Sequence, residues 1–441
     1  MKVCQKYSSL LFLLVFFWQC QKDNTIYISD DKFLEALIAA GVDTNNDGNI
    51  SSDEAAAITV LDVRSDSISD MSGIENFVNL ITLYCYDNQL THLDVTNLSS
   101  LVELGCSGND LTSLDVSTLT ELERLGCNSN DITSLDLTHN LNLQVLVILY
   151  NEMTSIDLSQ NTELVGLYCE GCPLESLDLS KNTKLEILYA GWNKLHSLDL
   201  SNNTKLNEIR CSANEINELD LSNNPFVANL WINYCNFSSL NLPNNLPLVN
   251  LYCSGNDLTT LDVTRLNTLE VLDCSFNPLH EIDLSGNPDL KWLYCNSDSL
   301  TGLYVSDNSK LQTIHCEWNK LTSLDFSNNK DLEWLICEGN QLKHLNVTSN
   351  TLLYYLECSY NQLPSIDLRN CLELHYLYLK ENQLITLDIS ANSDLYHLYL
   401  DNMPSLNEVC VWEMPFPTNE MVCDTTNSPN IFFTTDCSPN P

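Results

Sequence analysis

A short segment near the amino terminus carries oxygen-bearing side chains at closely spaced positions. Residues 43–54 read Asp-Thr-Asn-Asn-Asp-Gly-Asn-Ile-Ser-Ser-Asp-Glu. Carboxylates, amides and hydroxyls are hard oxygen ligands, and a set of this kind favours Ca²⁺. We expect six residues to provide the ligands, with a backbone carbonyl at the fourth: Asp43, Asn45, Asp47, Asn49, Ser51 and Glu54.

The spacing of these ligands is similar to that of an EF-hand loop, with Gly48 at the sharp turn and Glu54 as the bidentate carboxylate. An amphipathic helix is predicted from Asp31 to Ala40, and a second helix from Asp53 to Thr59. The alternative is a loop that only looks like this one, in a chain already rich in Asp and Asn. Because a single such loop is present, we expect a structural calcium rather than a switch.

No pattern indicates catalysis. The eight histidines lie in several different columns of the sequence repeat described below and have no metal-ligand spacing. There is no Gly-rich phosphate loop, no Ser/His/Asp arrangement and no distinct carboxylate pair. We therefore predict that the protein is not an enzyme.

The composition is strongly acidic. The chain has 441 residues, of which 59 are Asp or Glu and 19 are Lys or Arg, for a formal net charge of −40. Such a surface repels phosphate backbones and anionic headgroups, which argues against nucleic-acid binding and is compatible with a basic partner.

The amino terminus predicts export. Residues 1–6 form a basic region and Leu10 to Trp18 form a hydrophobic run that is too short to span a bilayer, so residues 1–19 are predicted to be a signal peptide. Cys20 follows, and the segment resembles a bacterial lipoprotein signal, which implies lipidation of Cys20 and a place in the outer membrane, exposed at the cell surface. An ordinary signal peptide with an incidental Cys20 is the alternative.

The rest of the chain is dominated by a repeat of 21 residues that starts at Leu80. Asn88 recurs in this register, with exceptions at Cys172, Cys235 and Asp298. A second column is almost entirely Leu, starting at Leu83. About sixteen repeats can be counted, and each is too small to bury its own apolar side, so the repeats must stack and share one core.

This pattern predicts a repeat solenoid, a leucine-rich-repeat array of about sixteen coils with a parallel β-sheet on one face and a small helical cap before it. The Leu83-Tyr84-Cys85 stretch alternates inward and outward, which is compatible with a β-strand. The Asn88 column is interpreted as an internal ladder that satisfies backbone groups where the chain turns. A 21-residue coil leaves no room for a helix on the opposite side.

The units of the type Leu101-x-x-Leu104-x-Cys106-x-x-Asn109-x-Leu111, with links such as Leu-Asp-Leu-Ser-Asn-Asn at 198–203, resemble internalin-like bacterial cell-surface leucine-rich-repeat proteins. The resemblance covers about three quarters of the chain. It implies binding of a ligand or a protein through the repeat face, without naming the ligand.

The cysteines fall into two groups. Eleven of the 19 occupy one inward column of the repeat, starting at Cys85, where other coils have Ile, Ala or Leu. We interpret this column as buried free thiols that act as apolar filler. Cys410, Cys423 and Cys437 follow the last coil, and a disulfide between Cys410 and Cys437 is the preferred of three possible pairings.

Aromatic residues are concentrated at positions expected to face outward from the sheet. Such rows can stack on sugars or anchor a protein, although β-propensity alone also explains aromatics on a sheet. The candidate ligand face consists of Tyr168, Tyr189, Trp192, Trp231, Tyr234, Tyr252, Trp292, Tyr294, Trp318, Trp334, Tyr355, Tyr376 and Tyr378.

Twelve aspartates follow Leu in another column, from Asp94 to Asp388. They could bind cations along one edge, but we favour a simpler role, in which each accepts a backbone N–H in its own turn.

These observations predict five segments: a signal peptide at 1–19, a lipidated tether at 20–29, a calcium-binding cap at 30–60, the solenoid at 61–409 and a carboxy-terminal cap at 410–441. The predicted function is non-catalytic binding of a protein partner through the sheet face by a monomer that contacts the membrane only through its lipid. A glycan-binding surface module that uses the aromatic row is the alternative.

Overall fold

The computed structural model describes residues 24–244, 246–417 and 421–437. The predicted signal peptide and lipidated Cys20 lie outside these residues. Within them, no helix is long and apolar enough to cross a membrane. Most of the described chain forms a parallel β-solenoid.

The main sheet has eighteen strands, and all of its pairings are parallel. Its strands are Val60–Asp62, Thr82–Tyr84, Glu103–Gly105, Arg124–Gly126, Val145–Val147, Gly166–Tyr168, Ile187–Tyr189, Glu208–Arg210, Asn229–Trp231, Asn250–Tyr252, Val271–Asp273, Trp292–Tyr294, Thr313–His315, Trp334–Ile336, Tyr355–Glu357, Tyr376–Tyr378, His397–Tyr399 and Val422–Asp424.

The strands form because each has one buried central side chain between two outward ones. Leu83 pairs with Leu104, and Leu104 with Leu125, so a shift of 21 residues places leucine beside leucine. These leucines are 1% exposed or less. The 21-residue recurrence in the sequence is thus the register of the sheet, and the predicted solenoid is confirmed.

The sheet extends beyond the sixteen predicted coils by one strand at each end. Val60–Asp62 precedes the regular repeat and pairs with Thr82–Tyr84. At the other end, His397 pairs with Val422 across a longer connection, and Cys423 takes the position of the central leucine. These end coils were not counted from the sequence because their lengths and residues depart from the repeat.

Short strands close the opposite side of a few coils. Leu324–Asp325 pairs with Leu345–Asn346, and Thr386–Asp388, Glu408–Cys410 and Phe432–Thr434 form a three-stranded sheet. A disulfide joins Cys410 to Cys437 in this last region, with the two Cα atoms 5.5 Å apart. Cys423 is a free, half-buried thiol.

Both α-helices of the described residues precede the sheet. Helix α1 spans Asp31–Ala39 and is capped by Asp30, whose carboxylate accepts hydrogen bonds from the amides of Lys32 and Phe33. Helix α2 spans Ser52–Ala57, and a 3-10 helix spans Ile74–Asn76. Phe33 is fully buried and joins the core that continues through the solenoid.

The predicted asparagine ladder connects each coil to the one before it. Asn109 Nδ2 donates to the carbonyl of Cys85, 24 residues earlier, at 3.1 Å, and to the carbonyl of Cys106 in its own coil at 3.0 Å. Asn109 Oδ1 accepts the Leu90 amide at 2.9 Å. One buried amide therefore contacts three backbone groups, and each of the two carbonyls is shared with the asparagine of a neighbouring coil, since Cys85 also accepts from Asn88 and Cys106 from Asn130.

A second asparagine ladder, which the sequence analysis did not identify, runs along another turn. Asn203 is fully buried, and its Nδ2 donates to the carbonyls of Leu179 at 3.1 Å and Asn182 at 2.9 Å. The same pattern is repeated at Asn140, Asn161, Asn182, Asn224, Asn287, Asn308, Asn329, Asn350 and Asn392. The signal in the sequence was the last residue of the Leu-Asp-Leu-Ser-x-Asn link.

Cysteine replaces asparagine in the ladders without losing the contact to the preceding coil. The thiol of Cys172 donates to the carbonyl of Ile148 at 3.2 Å, and that of Cys235 donates to the carbonyl of Cys211 at 3.4 Å. Both acceptors lie 24 residues earlier, as they do for asparagine. A weak S–H donor can therefore replace the asparagine amide in a few of the turns.

The inward cysteine column consists of buried free thiols, as predicted. The eleven cysteines from Cys85 to Cys358 are fully buried, and none of them is paired. Burial raises the pKa of the Cys85 thiol to about 12. These side chains are thus neutral apolar filler at the pH of ordinary solutions.

The aspartate column acts within its own turns. Asp94 accepts hydrogen bonds from the amide of Thr96 at 3.0 Å and from its hydroxyl at 2.6 Å. These hydrogen bonds lower the pKa of Asp94. Asp199 accepts the Ser201 amide in the same way, so the column stabilises turns, as the sequence analysis favoured.

Asp298 is the one carboxylate in the first asparagine ladder, and it should make stability depend on pH. The residue is fully buried, and burial raises the pKa of its carboxyl from 3.8 to about 8. The folded protein then keeps a proton that the unfolded chain has lost. The free energy of unfolding should therefore decrease as the pH rises from about 4 to about 8.

We expect Asp298→Asn to raise the free energy of unfolding by about 1–3 kcal/mol at pH 9, because an amide restores a donor to the ladder without a buried charge. Urea unfolding at pH 5 and pH 9 measures the effect. The exposed Asp257→Asn is the matched control. An equal loss of stability with pH in wild type and Asp298→Asn would contradict this account.

Candidate functional site

The sheet presents two outward rows of side chains, one on each side of the buried central column. We call this surface the sheet face. Many of its members are aromatic and lie against the same position in the next coil. The rings of Trp231 and Tyr252 are stacked with centroids 5.3 Å apart, and those of Trp334 and Tyr355 are 4.7 Å apart. The faces of these rings are thus partly occupied by one another.

A single cation is held between rings in the middle of the sheet face. The Arg210 guanidinium lies 4.1 Å from the ring centroid of Tyr189 and 4.3 Å from that of Trp231. Glu208 pairs with Arg210 at 2.9 Å and also accepts the Tyr189 hydroxyl at 2.5 Å. This part of the face is locally neutralised and internally satisfied.

Carboxylates collect near the carboxy-terminal end of the sheet face, at Glu357 in a strand and at Glu338 and Asp401 two residues past the ends of their strands. Glu338, Glu357 and Asp401 line a cleft of about 320 Å³ whose aromatic wall includes Tyr360 and Tyr378. The Glu317 carboxylate lies one coil before that of Glu338. The cleft is concave, acidic and bordered by aromatic rings.

Burial changes the charge of this cleft near neutral pH. Burial raises the pKa of Glu357 to about 7, and the pKa of Glu317 is raised to about 7 for the same reason. Glu317 Oε2 is buried and accepts no hydrogen bond among the described residues. Lys380 lies at the far side of the cleft, 2.9 Å from Asp401. A cationic group in the cleft would stabilise the ionised carboxylates.

The structure divides the predicted ligand face into two groups. The following ten residues lie in strands of the sheet face: Tyr168, Tyr189, Trp231, Tyr252, Trp292, Tyr294, Trp334, Tyr355, Tyr376 and Tyr378. Trp192, Tyr234 and Trp318 do not. They lie three residues past the ends of their strands, in turns with φ of 54°, 54° and 56°. Their expected outward position on the sheet is wrong, because a residue with this left-handed backbone cannot continue a strand.

The loop at residues 43–54, which the sequence predicts to bind calcium, folds around its first residue. Asp43 Oδ1 accepts the amide of Asn46 at 2.7 Å, and Asp43 Oδ2 accepts the amide of Gly48 at 2.9 Å. Gly48 has φ of 80°, which a side chain would strain. Ser51 caps helix α2 and forms a reciprocal capping box with Glu54.

Glu54 connects the two ends of the loop. Its Oε1 accepts the amide of Thr44 at 2.9 Å, and its Oε2 accepts the amide of Ser51 at 2.9 Å. Hydrogen bonds from Ser51 and Thr44 lower the pKa of Glu54 to about 2. A carboxylate that remains ionised, together with oxygen side chains on the same short loop, is a donor set that fits Ca²⁺.

Comparison with solved structures places the chain among repeat proteins. It is similar to the functional domain of InlJ from Listeria monocytogenes, which includes a cysteine ladder, with 35% identity over 87% of this chain and 74% of that one and a TM-score of 0.60. It is also similar to a leucine-rich-repeat protein from Leptospira interrogans, with 24% identity over 76% of this chain and 92% of that one and a TM-score of 0.68.

A third similar structure is the leucine-rich-repeat ectodomain of the Arabidopsis thaliana membrane receptor kinase GASSHO1/SCHENGEN3, in complex with CASPARIAN STRIP INTEGRITY FACTOR 2. The identity is 19% over 80% of this chain and 53% of that one, with a TM-score of 0.58. No protein-family model matches the chain, and the comparison with curated proteins gave no match.

Proposed function

Because the chain belongs to the internalin-like leucine-rich-repeat proteins, we propose that it is a non-catalytic binding protein of the cell surface that recognises a protein partner through its sheet face. The plant receptor ectodomain of the same fold was solved with a bound factor, which supports a binding role for such a surface. In this proposal the solenoid is the scaffold, and the outward side chains determine the partner.

The acidic cleft at the carboxy-terminal end of the sheet face is the observation that carries the proposal. Glu338 and Glu357 line a partly buried, aromatic-bordered depression, and Glu317, whose pKa is raised by burial and by the charge of Glu338, lies one coil before Glu338. Such a site suits a Lys or Arg side chain, because the carboxylates supply charge and the rings supply flat contact area. The net charge of −40 would also attract a basic partner from a distance.

Binding of a basic peptide should strengthen as the pH rises. Glu317 and Glu357 have pKa values raised to about 7, so both are largely neutral at pH 6 and ionised at pH 8. A cation is bound by the ionised form. Affinity should therefore increase severalfold between pH 6 and pH 8 and decrease with salt.

A peptide-display selection on the immobilised chain tests this proposal. Selected peptides should be rich in Lys or Arg and should bind the triple variant Glu317→Gln, Glu338→Gln, Glu357→Gln at least tenfold more weakly. The matched control is Glu175→Gln, Glu218→Gln, Glu281→Gln, which removes three exposed carboxylates outside the sheet face. Equal binding to the sheet-face variant, or stronger binding at pH 6, would refute the proposal.

We also propose that calcium stiffens the cap that precedes the first coil. The loop lies between helices α1 and α2, and the backbone of Ile50 within it pairs with Ile26, which packs against the core. An ion bound at the six predicted ligands would join residues 43 and 54. It would thereby hold both helices on the end of the solenoid.

Glu54→Gln should abolish calcium binding measured by isothermal titration, since a neutral amide cannot replace the bidentate carboxylate. Asp53→Asn is the control, because it removes the neighbouring exposed charge without changing a predicted ligand. In the wild type, calcium at one hundred times its dissociation constant should stabilise the fold by about 2.7 kcal/mol. Unchanged calcium affinity in Glu54→Gln would remove this site.

Lipidation of Cys20 and exposure on the outer membrane complete the proposed function. They rest on the hydrophobic run and the cysteine that follows it in the sequence. A lipid on that cysteine would tether the solenoid to the membrane at its calcium-binding end.

A further inference from the structure

Six aromatic side chains recur at every second coil in the turn that follows each strand. We call them the turn row, and they are Tyr150, Trp192, Tyr234, Phe276, Trp318 and Tyr360. Each is separated from the next by 42 residues, which is twice the 21-residue repeat. Their exposed fractions are between 38% and 68%, in contrast to the half-buried rings of most of the sheet face.

The intervening coils carry small residues at the same position: Gly171, Ala213, Gly255, Ser297 and Gly339. Three of the aromatic rings can be accommodated only because the next coil has glycine at the equivalent position. A Cβ at Gly171 would lie 2.4 Å from the Tyr150 ring, and a Cβ at Gly255 or Gly339 would lie 2.5 Å from the ring of Tyr234 or Trp318. Each of these rings thus extends over the next coil, in the space that a side chain would fill.

The backbone at the turn row is unfavourable for aromatic residues. All six have φ between 53° and 56°, a left-handed conformation that glycine adopts freely and that costs a bulky residue about 1 kcal/mol or more. The rings are too exposed to recover this cost by packing in the core. The same left-handed conformation occurs at this turn in coils that carry Ser129, Ala213 or Ser297, so it is a property of the turn itself. Six exposed aromatic residues at a turn position that suits smaller residues better point to a function that requires the rings.

The hydrogen bonds of the solenoid fix the positions of the rings. The Trp192 amide donates to the Ser212 carbonyl at 2.8 Å, and the Tyr234 amide donates to the Ser254 carbonyl at 2.8 Å. Neighbouring strands of a sheet lie about 4.8 Å apart, so the backbone positions of the turn row recur about every 9.6 Å. The rings of Trp318 and Tyr360 lie closer together than this, with centroids 6.0 Å apart. A linear polymer whose own repeat has a length similar to the backbone spacing could place equivalent units on successive rings.

Two extended polymers have such a repeat. A polyproline II helix repeats every three residues, about 9.3 Å. An extended β-1,4-linked glycan repeats every two sugars, over a similar length. Both present flat apolar surfaces that can stack on an aromatic ring, so the polar groups beside the row must discriminate between them.

The exposed polar groups beside the turn row favour the glycan. They are Glu152, Lys194, Glu215, Asn236, Asp257, Lys320, Gln341 and Gln362. Several of these are carboxylates, which accept hydrogen bonds and never donate them when ionised. Sugar hydroxyls can donate to a carboxylate and accept from an amide or a lysine, whereas a proline-rich backbone has carbonyls and almost no N–H groups. The negative charge also disfavours an acidic polysaccharide.

We propose that the turn row binds an uncharged β-1,4-linked glycan, one ring to each disaccharide along the chain. The site meets the acidic cleft of the protein partner proposed above at Tyr360, which borders both, whereas the other five rings lie outside the residues that line that cleft. As an exception, the rings of Trp318 and Tyr360 lie together and would share one disaccharide, so a chain of about ten sugars would cover the row.

Soluble cello- and chito-oligosaccharides of two, four and six sugars provide the first measurement. Affinity should rise roughly three- to tenfold with each added disaccharide, because each engages one more ring. The full-length chain should also be retained on microcrystalline cellulose or chitin and should not be retained on amylose, whose α-linked chain coils.

The variant Trp192→Gly, Tyr234→Gly, Trp318→Gly leaves no two neighbouring rings. Its affinity for the six-sugar ligand should fall to that of wild type for two sugars. Glycine fits the left-handed backbone, so the melting temperature should stay the same or rise. Melting well below wild type would assign the rings a packing role and overturn the proposal.

The matched control is Trp292→Ala, Trp334→Ala, Tyr376→Ala, which removes three rings from the sheet face and should keep glycan binding. The turn-row variant and this control also separate the two proposed functions, since loss of binding at one surface would leave binding at the other surface measurable. The proposal is overturned if neither polymer is retained, if amylose binds equally well, or if a repeating proline-rich peptide binds the turn row in place of the glycan.

Discussion

A side-chain amide that reaches back one coil is the contact on which the molecule depends. Asn109 and its equivalents join the carbonyl of one coil to the carbonyl of the next through a single nitrogen, inside a core that offers these groups no water. A second set, represented by Asn203, repeats this at another turn. Because almost every coil must place an amide at the same position, with Cys172, Cys235 and Asp298 as the exceptions, the repeat length is constant in the interior and departs from 21 residues at the ends. The parallel sheet and its leucine column follow from that fixed length.

The same constraint determines where variation, and hence recognition, is possible. Inward positions vary little in residue type from coil to coil. Outward positions vary widely, from Arg210 between two rings to the carboxylates around Glu357. The backbone of the turn that follows each strand is equally fixed, so any side chain placed there is held in the left-handed conformation. A rigid scaffold of this kind presents separate surfaces, on the strands and on the turns, that can be occupied independently.

The sequence predicted the solenoid, the sheet, the first asparagine ladder and the free thiols, because each corresponds to a column with a strict 21-residue period. It began the solenoid at residue 61 without counting the strand Val60–Asp62 as a coil, and it placed the strand around Cys423 in the carboxy-terminal cap, because both stand outside that period. It also missed the second asparagine ladder, which was recognised only as part of a link. It also placed Trp192 among strand residues. Position in a column identifies which residues are equivalent, but only backbone torsion angles distinguish a ring in a strand from a ring in a turn. The partner of the sheet face depends on outward residues whose types change from coil to coil, and it was therefore the least predictable part.

The buried thiol column affects how long the protein stays folded under oxidising conditions. In the native state Cys85, Cys106 and the others in that column are buried and neutral, and no oxidant can reach them. A solenoid that unwinds, even over a few coils, would expose a series of closely spaced thiols free to pair in any combination. Each wrong pairing would prevent rewinding, so that unfolding under oxidising conditions would be a one-way event. The lifetime of the folded protein then depends on the rate at which its coils unfold rather than on the rate at which they refold.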